Sequence, residues 1–367
     1  MAANPDTENF AKIKVVGVGG GGCNAVNRMI QEKIHGVDFI AVNTDAQALL
    51  KSDAPLRLRI GDKLTKGLGV GGDAVKGQKA AEESRDVLFE ALDGANMVFI
   101  AAGMGGGTGT GAAPTVAEIA RETGALTVAV VTKPFTFEGS QRRQAAEEGI
   151  ARLKEKVDAV IVIPNDRLLS ICDKKATLEV ALRTADDVLR QGIQGISELV
   201  TMPGNINLDF NDVKTVMSDA GSALMAIGHG SGETRAVDAA RLAISSPLLD
   251  VSIEGAKRIL LSFASNEDLT LFELNEAAEM VRNAVDSNAT IIFGTTTDSR
   301  LNGEVKITII ATGFEGKMSK TVTSSQHAAV AAQTPTRVPS PLRLVNTIPA
   351  EDPQIDVPIW LRNGKAK

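Results

Sequence analysis

A glycine-rich run directly follows a continuous apolar segment in the first third of the chain. The segment Asn96–Ala102 has the composition of a strand buried on both faces, and the run Gly105–Gly111 contains five glycines and two threonines. Glycine permits positive φ angles, so consecutive N–H groups of such a run can converge on one point. The next residues, Ala112–Thr123, predict a helix that tolerates Pro114 in its first turn. Because a helix N-terminus carries partial positive charge, this pattern predicts a phosphate-binding loop.

The predicted loop is not of the Walker type. A Walker loop closes its glycine run with Lys-Ser or Lys-Thr, and neither Gly-Lys-Ser nor Gly-Lys-Thr occurs in the chain. A flexible linker or a tight turn is the alternative interpretation of such a stretch. Linkers rarely lie between a buried strand and a helix, so the phosphate-binding interpretation is favoured.

A second glycine cluster lies near the start of the chain. Lys12–Val18 predicts a strand, Gly19–Gly22 a tight loop and Asn24–Gln31 a helix. The glycines fit the dinucleotide-binding fingerprint, and Asp45 follows the next strand at a distance suited to a ribose-binding acid. A nicotinamide-dependent enzyme is therefore one alternative. Two glycine loops for one phosphate chain suit a nucleoside triphosphate better.

Composition limits the compartment and the partners. With 367 residues and 43% apolar composition, the chain can form two packed domains. Its net charge of −6 provides no basic field for nucleic acid. The two cysteines, Cys23 and Cys172, and the polar, acidic start Met1–Asn9 favour a reducing cytoplasm without a secretory signal. No apolar run reaches the ~18 residues that span a bilayer, so no direct membrane insertion is expected.

The first half of the chain alternates strands and helices, which favours a parallel sheet with helices on both faces. Predicted strands are Lys12–Val18, Asp38–Asn43, Met97–Ala102, Thr127–Thr132 and Ala159–Pro164, and predicted helices include Lys76–Leu92 and Gln141–Val157. A long amphipathic helix, Leu178–Val200, follows, with a core-facing stripe that includes Leu182.

The remainder predicts a smaller α+β domain and a tail. The smaller domain contains the helices Glu233–Ile244 and Leu271–Val285 and the strands Lys257–Phe263, Thr290–Thr296 and Glu304–Thr312. Ser319–Pro349 lacks periodicity and predicts a disordered linker. The apolar segment after it contains Trp360, the chain's single tryptophan, and is typical of a docking peptide.

Several blocks of sequence resemble those of the FtsZ family, the bacterial tubulin-like GTPases of cell division. The resemblance covers about residue 10 to residue 316 and resumes in the tail. The blocks are Asn43–Gln47, Gly105–Gly111, Pro134–Gly139, Pro164–Leu169, Asn207–Val213, Ala243–Leu249 and Ile309–Phe314.

The resemblance implies an α/β, tubulin/FtsZ-like fold of two domains: a Rossmann-like parallel-sheet GTPase domain, a long central helix and a smaller α+β domain, with a disordered C-terminal tail. The expected divisions are a flexible N-terminus 1–11, a GTP-binding domain 12–176, the central helix 177–202, a second domain 203–316, a linker 317–350 and a partner-binding peptide 351–367.

The resemblance also implies the nucleotide-binding residues. They form two phosphate loops, ribose- and phosphate-side contacts, and a pair that reads the guanine edge, where a carboxylate can accept both the N1 and N2 hydrogens. The expected residues are Gly20, Gly21, Gly22, Cys23, Asn24, Asp45, Gly105, Gly106, Gly107, Thr108, Gly109, Glu138, Arg142, Asn165 and Asp186. For Glu138 and Arg142 the alternative is a solvated pair at a helix start, and for Cys23 the alternatives are a reactive thiol and a buried, inert one.

The catalytic residues implied by the resemblance are Asn207, Asp209 and Asp212, in a loop that faces the GTP of the next subunit. From the residues alone, helix capping is the better interpretation of the two aspartates. The family reading makes hydrolysis dependent on head-to-tail assembly. Mg²⁺ is expected to be bound mainly through phosphates and water, without a protein metal site of its own.

The implied function is a GTP-hydrolysing cytoskeletal protein that polymerises head-to-tail into the division ring at mid-cell. Its expected partners are further copies of itself and cell-division proteins that bind the tail around Asp356–Arg362. A third possibility is a relative that binds GTP but hydrolyses it poorly. The retention of Asn207, Asp209 and Asp212 speaks against that possibility.

Overall fold

The computed structural model describes residues 11–169, 176–202, 204–246 and 252–314. The predictions for the first residues, Cys172, the linker and the peptide around Asp356–Arg362 lie outside these ranges.

A parallel sheet forms the first part of the fold. Its strands run in the order β3-β2-β1-β4-β5-β6, and each predicted strand is confirmed to within one residue at either end. The strands are β1 Ile13–Val18, β2 Val37–Asn43, β3 Leu56–Arg59, β4 Met97–Gly103, β5 Leu126–Lys133 and β6 Ala159–Pro164. Strand β3 is not predicted by the sequence pattern, because its alternating arginines lie at the edge of the sheet, where burial is incomplete.

Helices cover both faces of this sheet. They are α1 Gly19–Gln31, α2 Ala46–Leu50, α3 Asp62–Thr65, α4 Ala74–Glu83, α5 Arg85–Leu92, α6 Thr108–Glu122, α7 Ser140–Lys154 and α8 Asn165–Leu168. The prediction of one long helix over Lys76–Leu92 was wrong, because Ser84 separates α4 from α5. The Ser84 hydroxyl accepts a hydrogen bond from the Gly61 N–H at 3.0 Å.

The first glycine cluster lies inside a helix and the second runs into one, which corrects two predicted boundaries. α1 begins at Gly19 rather than Asn24, and α6 begins at Thr108 rather than Ala112. Pro114 therefore lies inside α6 and not in its first turn. The boundaries were misplaced because glycine is a poor helix former in general, whereas the first turn of a helix tolerates it.

A long helix follows, α9 Leu178–Thr201, and confirms the predicted central helix. Ala185, Leu189, Ile193 and Ile196 are buried along it as expected. Leu182 is 45% exposed and does not belong to the core-facing stripe, which corrects that assignment.

The second part adds four strands and three helices among the described residues. They are α10 Phe210–Met217, β7 Gly221–Ser231, α11 Arg235–Ile244, β8 Arg258–Ser265, α12 Leu271–Asn283, β9 Thr290–Thr297 and β10 Glu304–Thr312.

Strand β7 joins the two parts, giving one ten-stranded sheet whose second part runs β7-β10-β8-β9. It pairs with β6 in parallel and with β10 in antiparallel orientation. The sequence analysis does not predict β7. Its Gly228 and Gly230 are required by close packing, since a Cβ at either position would lie 1.9 Å from a carbonyl oxygen of α11.

Three apolar cores hold these layers together. α1, α9 and α10 cover one face of the parallel sheet and continue onto β8 and β10, while α4 to α7 cover the opposite face. α11 and α12 enclose the third core. No helix in the described ranges combines the length and apolar character needed to cross a membrane.

Candidate nucleotide site

The two glycine-rich helix starts lie side by side at the carboxyl ends of β1 and β4. Gly19 has a φ of 71°, and a Cβ there would lie 2.8 Å from the backbone nitrogen of Gly109. Gly111 N–H donates to the Gly107 carbonyl at 3.0 Å, so the N–H groups of the preceding helical residues have no acceptor within α6. Neither α1 nor α6 is capped by a side chain. The pair of helix starts, called the cradle below, is suited to bind an anion.

The glycines of the cradle have two different roles. A Cβ at Gly22 would lie 2.1 Å from the Ala101 carbonyl oxygen, and one at Gly107 would lie 2.4 Å from a Val70 methyl carbon. A Cβ at Gly20 or Gly106 would meet no atom within 4 Å. The first pair is therefore required by packing, whereas the second pair borders open space into which a ligand can approach.

Threonine hydroxyls hold the residues of the cradle in place through buried hydrogen bonds. Thr44 and Thr108 share a buried hydrogen bond of 2.9 Å between their Oγ1 atoms, and Gly105 N–H donates to Thr110 Oγ1 at 2.8 Å. Thr44 and Thr110 are absent from the predicted site residues. The signal was present, because Thr44 lies in the block Asn43–Gln47 and Thr110 lies in the glycine run.

The side chains of Asp45 and Cys23 both make contacts within the protein. Asp45 Oδ1 caps α2 by accepting hydrogen bonds from the N–H groups of Gln47 and Ala48. The Cys23 thiol is buried and lies 3.5 Å from the Gly17 carbonyl oxygen. Burial raises the pKa of this thiol to about 12, so the reactive-thiol interpretation is wrong and the buried, inert one is correct. Nucleotide contact by either residue stays a prediction; for Cys23 it would have to come from the backbone.

Glu138 and Arg142 form a pair beside the cradle. Arg142 Nη1 donates to Glu138 Oε2 at 2.6 Å, and Glu138 Oε1 accepts from the Phe135 N–H at 2.9 Å. A Cβ at Gly105 would lie 2.9 Å from the Arg142 carbonyl oxygen, so the start of α7 packs directly on the glycine run. The arginine side chain is largely exposed. The pair at the helix start thus exists and lies at the cradle, where its nucleotide role stays a prediction.

Asn165 and Asp186 are polar groups in apolar surroundings. Asn165, at the carboxyl end of β6, is 6% exposed, and its Oδ1 has no hydrogen-bond partner in the described part of the chain. Buried polar atoms rarely lack a partner, so this oxygen is suited to a ligand. Burial raises the pKa of Asp186 to about 6, although the positive charge of Arg28 on α1 opposes the shift. α9, which carries Asp186, packs along α1 and against α8.

The aspartates lie on a helix start of a different kind. Asp209 Oδ1 accepts from the Asp212 N–H at 2.8 Å, and Asp212 Oδ2 accepts from the Asp209 N–H at 3.0 Å. This capping box starts α10, as helix capping requires. Each carboxylate keeps a second oxygen outside the box. Asn207 Oδ1 accepts from the Gly204 N–H at 2.7 Å.

The segment that contains the aspartates, residues 204–217, does not lie at the cradle; it is called the aspartate segment. Thr201, the last residue of α9, lies against Gly36, where an added Cβ would be 2.8 Å from the Thr201 Cβ. Gly36 immediately precedes β2, whose first residue pairs with Ile13, the first residue of β1. After α10, Gly221 N–H donates to the Asp158 carbonyl at the start of β6. The segment therefore enters and leaves at the amino edge of the sheet, opposite the cradle.

Known families and structures match this architecture. The GTPase domain of the Tubulin/FtsZ family matches residues 12–173, and the C-terminal domain of the FtsZ family matches residues 221–315. The chain is 45% identical to FtsZ of M. jannaschii, solved as an empty dimer, with a TM-score of 0.81. That match covers 85% of this chain and 93% of the other. The chain belongs to the FtsZ family.

Two further structures share the FtsZ fold. A tryptophan-to-tyrosine mutant of M. jannaschii FtsZ is 46% identical, with 84% of this chain and 92% of the other covered and a TM-score of 0.80. CetZ2 from Haloferax volcanii, solved as a GTPγS-bound protofilament, is 20% identical, with 82% and 92% covered and a TM-score of 0.71. The expected α/β fold of two domains is thereby confirmed.

Membership of the FtsZ family makes the chain a guanine-nucleotide-binding GTPase. The nicotinamide-dependent alternative is therefore wrong. The cradle has the properties that a triphosphate requires, since it combines two uncapped helix starts with open space at Gly20 and Gly106. The orphan oxygen of Asn165 and the carboxyl of Asp186 supply acceptors of the type that guanine N–H groups need.

Proposed function

We propose that this GTPase polymerises head-to-tail into filaments of the bacterial division ring, and that each GTP is hydrolysed with the aspartates of the neighbouring subunit. The observation that carries this proposal is the separation of the cradle from Asp209 and Asp212. Strand β1 alone, from Ile13 to Val18, spans about 17 Å between the two edges. A carboxylate must come within hydrogen-bond reach of an attacking water, so the aspartates of one chain cannot serve its own cradle.

A head-to-tail contact brings the two halves together. In such a contact the amino edge of one subunit faces the cradle of the next, and the same pairing repeats along a filament. The cradle would bind the phosphates through its N–H groups, with Arg142 adding positive charge. The free oxygens of Asp209 and Asp212, with Asn207, would orient and polarise the attacking water.

Both ends of the subunit expose apolar side chains that suit such a contact. At the aspartate end, Leu271 and Phe272 at the start of α12 are 79% and 70% exposed. Leu271 borders the same hollow as Ile206 of the aspartate segment. At the cradle end, Phe137, adjacent to Glu138, is 62% exposed and stacks on Phe135. Adjacent exposed apolar side chains such as Leu271 and Phe272 form a surface of the kind that marks interaction sites.

We further propose that Mg²⁺ accompanies the nucleotide through its phosphates and water. Among the described residues, no group of three or more potential metal-ligating side chains occurs. We also propose a cytoplasmic location at mid-cell and cell-division partners that bind the peptide around Asp356–Arg362.

The proposal is tested by GTP turnover per subunit over a wide range of protein concentration. Because a complete site needs two subunits, turnover should rise steeply with concentration and then level off. Asp212→Ala should abolish turnover at every concentration and leave GTP affinity within about twofold, because the aspartate is far from its own cradle. Turnover per subunit that is independent of concentration would contradict the shared site. Loss of GTP binding in Asp212→Ala would instead indicate a structural role.

A further inference from the structure

The segment that carries the aspartates is attached to the edge strand β9 at one residue. Thr295 N–H donates to the Ile206 carbonyl at 2.9 Å, and Ile206 N–H donates to Thr295 Oγ1 at 2.9 Å. Thr295 therefore contacts both backbone groups of Ile206. The second bond uses a side-chain hydroxyl where a sheet ladder would use a carbonyl, so it depends on the residue type at position 295.

Close packing surrounds this two-point attachment. A Cβ at Gly204 would lie 1.6 Å from the Thr295 carbonyl oxygen, and one at Gly294 would lie 2.7 Å from Leu208 Cγ. The segment thus packs directly on β9 on both sides of Ile206, through its backbone at Gly204 and through the Leu208 side chain. Such contact leaves little freedom to shift while the Thr295 hydroxyl holds the Ile206 N–H.

The attachment lies immediately before the proposed catalytic residues. Ile206 precedes Asn207 in the chain, and the capping box of Asp209 and Asp212 follows within one helical turn. α10 is eight residues long, and Leu208 and Val213, on either side of its first residues, are buried in the core. A displacement of Ile206 would be transmitted to both carboxylates, because they lie within a few residues of it in the chain.

We propose that Thr295 is a positioning residue for GTP hydrolysis, whose hydroxyl holds Ile206 and thereby places Asn207, Asp209 and Asp212 against the neighbouring subunit's GTP. This inference rests on the proposed function, because it requires these residues to act in the next subunit's site. Catalysis by positioning is sensitive to small displacements, and a shift of about 1 Å can lower a rate about 100-fold. Thr295 should therefore affect kcat more than nucleotide binding.

The variants are chosen to separate the hydroxyl from the shape of the side chain. Thr295→Val removes the hydroxyl and keeps the branching, and Thr295→Ser keeps the hydroxyl and removes the methyl group. Thr296→Val is the matched control, since Thr296 is the next residue of β9 and its hydroxyl makes no hydrogen bond to the segment among the described residues. Thr295→Ala supplies the same loss of hydroxyl if the valine variant fails to fold.

The experiment measures kcat and KM for GTP at saturating subunit concentration, with GTP affinity and melting temperature for each full-length variant. We expect Thr295→Val to lose about 10-fold or more in kcat with GTP affinity within about twofold. Thr295→Ser should retain at least about half of kcat, and Thr296→Val should match the wild type. Equal kcat for Thr295→Val and Thr296→Val, or a serine variant as slow as the valine variant, would overturn the inference.

Asp212→Ala in the same series separates this inference from the proposed function. If Asp212→Ala is inactive while Thr295→Val turns over normally, the shared site stands and the role of Thr295 is wrong. If Asp212→Ala remains active, the aspartates do not serve hydrolysis and both proposals are wrong. The inference holds only if Asp212→Ala is inactive and Thr295→Val is slowed with rescue by serine.

Discussion

The cradle and the aspartate segment both contain helix starts, but side chains cap the start of α10 and not those of α1 and α6. α1 begins with glycines and α6 follows the N-cap Gly107, and neither has a side-chain cap, so their first N–H groups are left for a ligand. α10 begins with a reciprocal capping box that satisfies the N–H groups of Asp209 and Asp212, and two carboxylates are presented there. One end of the sheet therefore offers an anion site, and the other offers the two carboxylates of the capping box. Under the proposed function, neither end hydrolyses GTP alone.

The largest effect is expected where open space at the cradle is filled. Gly20→Val adds a side chain where a Cβ meets no atom within 4 Å, so the free protein should fold normally. The added side chain would occupy the space of the ligand and should weaken GTP binding by about 100-fold or more, about 2.7 kcal/mol. Titration calorimetry with GTP and a thermal melt test both parts of this prediction.

Gly22→Ala is the matched control for Gly20→Val. Its Cβ would lie 2.1 Å from the Ala101 carbonyl oxygen, so the cost should be in stability, about 1–3 kcal/mol or more. If Gly20→Val binds GTP like the wild type, the nucleotide does not lie at the two uncapped helix starts.

A smaller effect on stability is expected for substitutions of Asp209 that separate its role as a helix cap from its role as a carboxylate. Serine is as good an N-cap as aspartate, so Asp209→Ser should keep the stability of α10, whereas Asp209→Ala should lose about 1 kcal/mol. Both variants should lose GTP turnover about equally, because each removes the carboxylate. Thermal melts and steady-state turnover distinguish the two roles. Recovery of turnover in the serine variant would show that Asp209 acts only as a cap.

The smallest expected effect is a change of GTP affinity with pH. Burial raises the pKa of Asp186 from 3.8 to about 6 in the free protein, and the ionised form is the one that can accept hydrogen bonds from guanine. Below pH 6 the free protein is protonated and must lose this proton to bind, so GTP affinity should fall by up to about tenfold per pH unit. Above pH 7 the contribution of Asp186 to GTP affinity should not change with pH.

Asp186→Asn provides the reference for the pH series, because it retains the titration of the phosphates but not that of the carboxyl. The ratio of wild-type to variant affinity, measured from pH 5 to pH 8, should therefore fall below pH 6 and be constant above pH 7. A ratio that is constant over the whole range would show that Asp186 does not meet the nucleotide as a carboxylate.

The two ends also differ in how far the sequence predicts them. Five of the six strands of the parallel sheet were predicted to within one residue because each is a largely apolar run, and the cradle followed from glycines after two of them. The starts of α1 and α6 were misplaced because their first turns contain glycines, which generally disfavour helix. Strand β7 was missed because α11 packs on its glycines.

The attachment of Ile206 to Thr295 could not be predicted, because it joins residues 89 positions apart through one hydroxyl. A threonine in a strand normally indicates β propensity alone. The orphan oxygen of Asn165 and the raised pKa of Asp186 likewise depend on burial by distant elements. The local sequence pattern predicts which residues are candidates for a site. The fold determines which of them have an unpartnered polar atom or a shifted pKa.

The most direct test of the two-ended site is a mixture of Gly20→Val and Asp212→Ala subunits. The first has a blocked cradle and an intact aspartate segment, and the second has the reverse, so each alone should show almost no turnover. In an equal mixture, roughly one random pairing in four unites an intact cradle with an intact aspartate segment, which predicts roughly a quarter of wild-type turnover. Turnover no greater than the sum of the two separate variants would contradict a site shared between subunits.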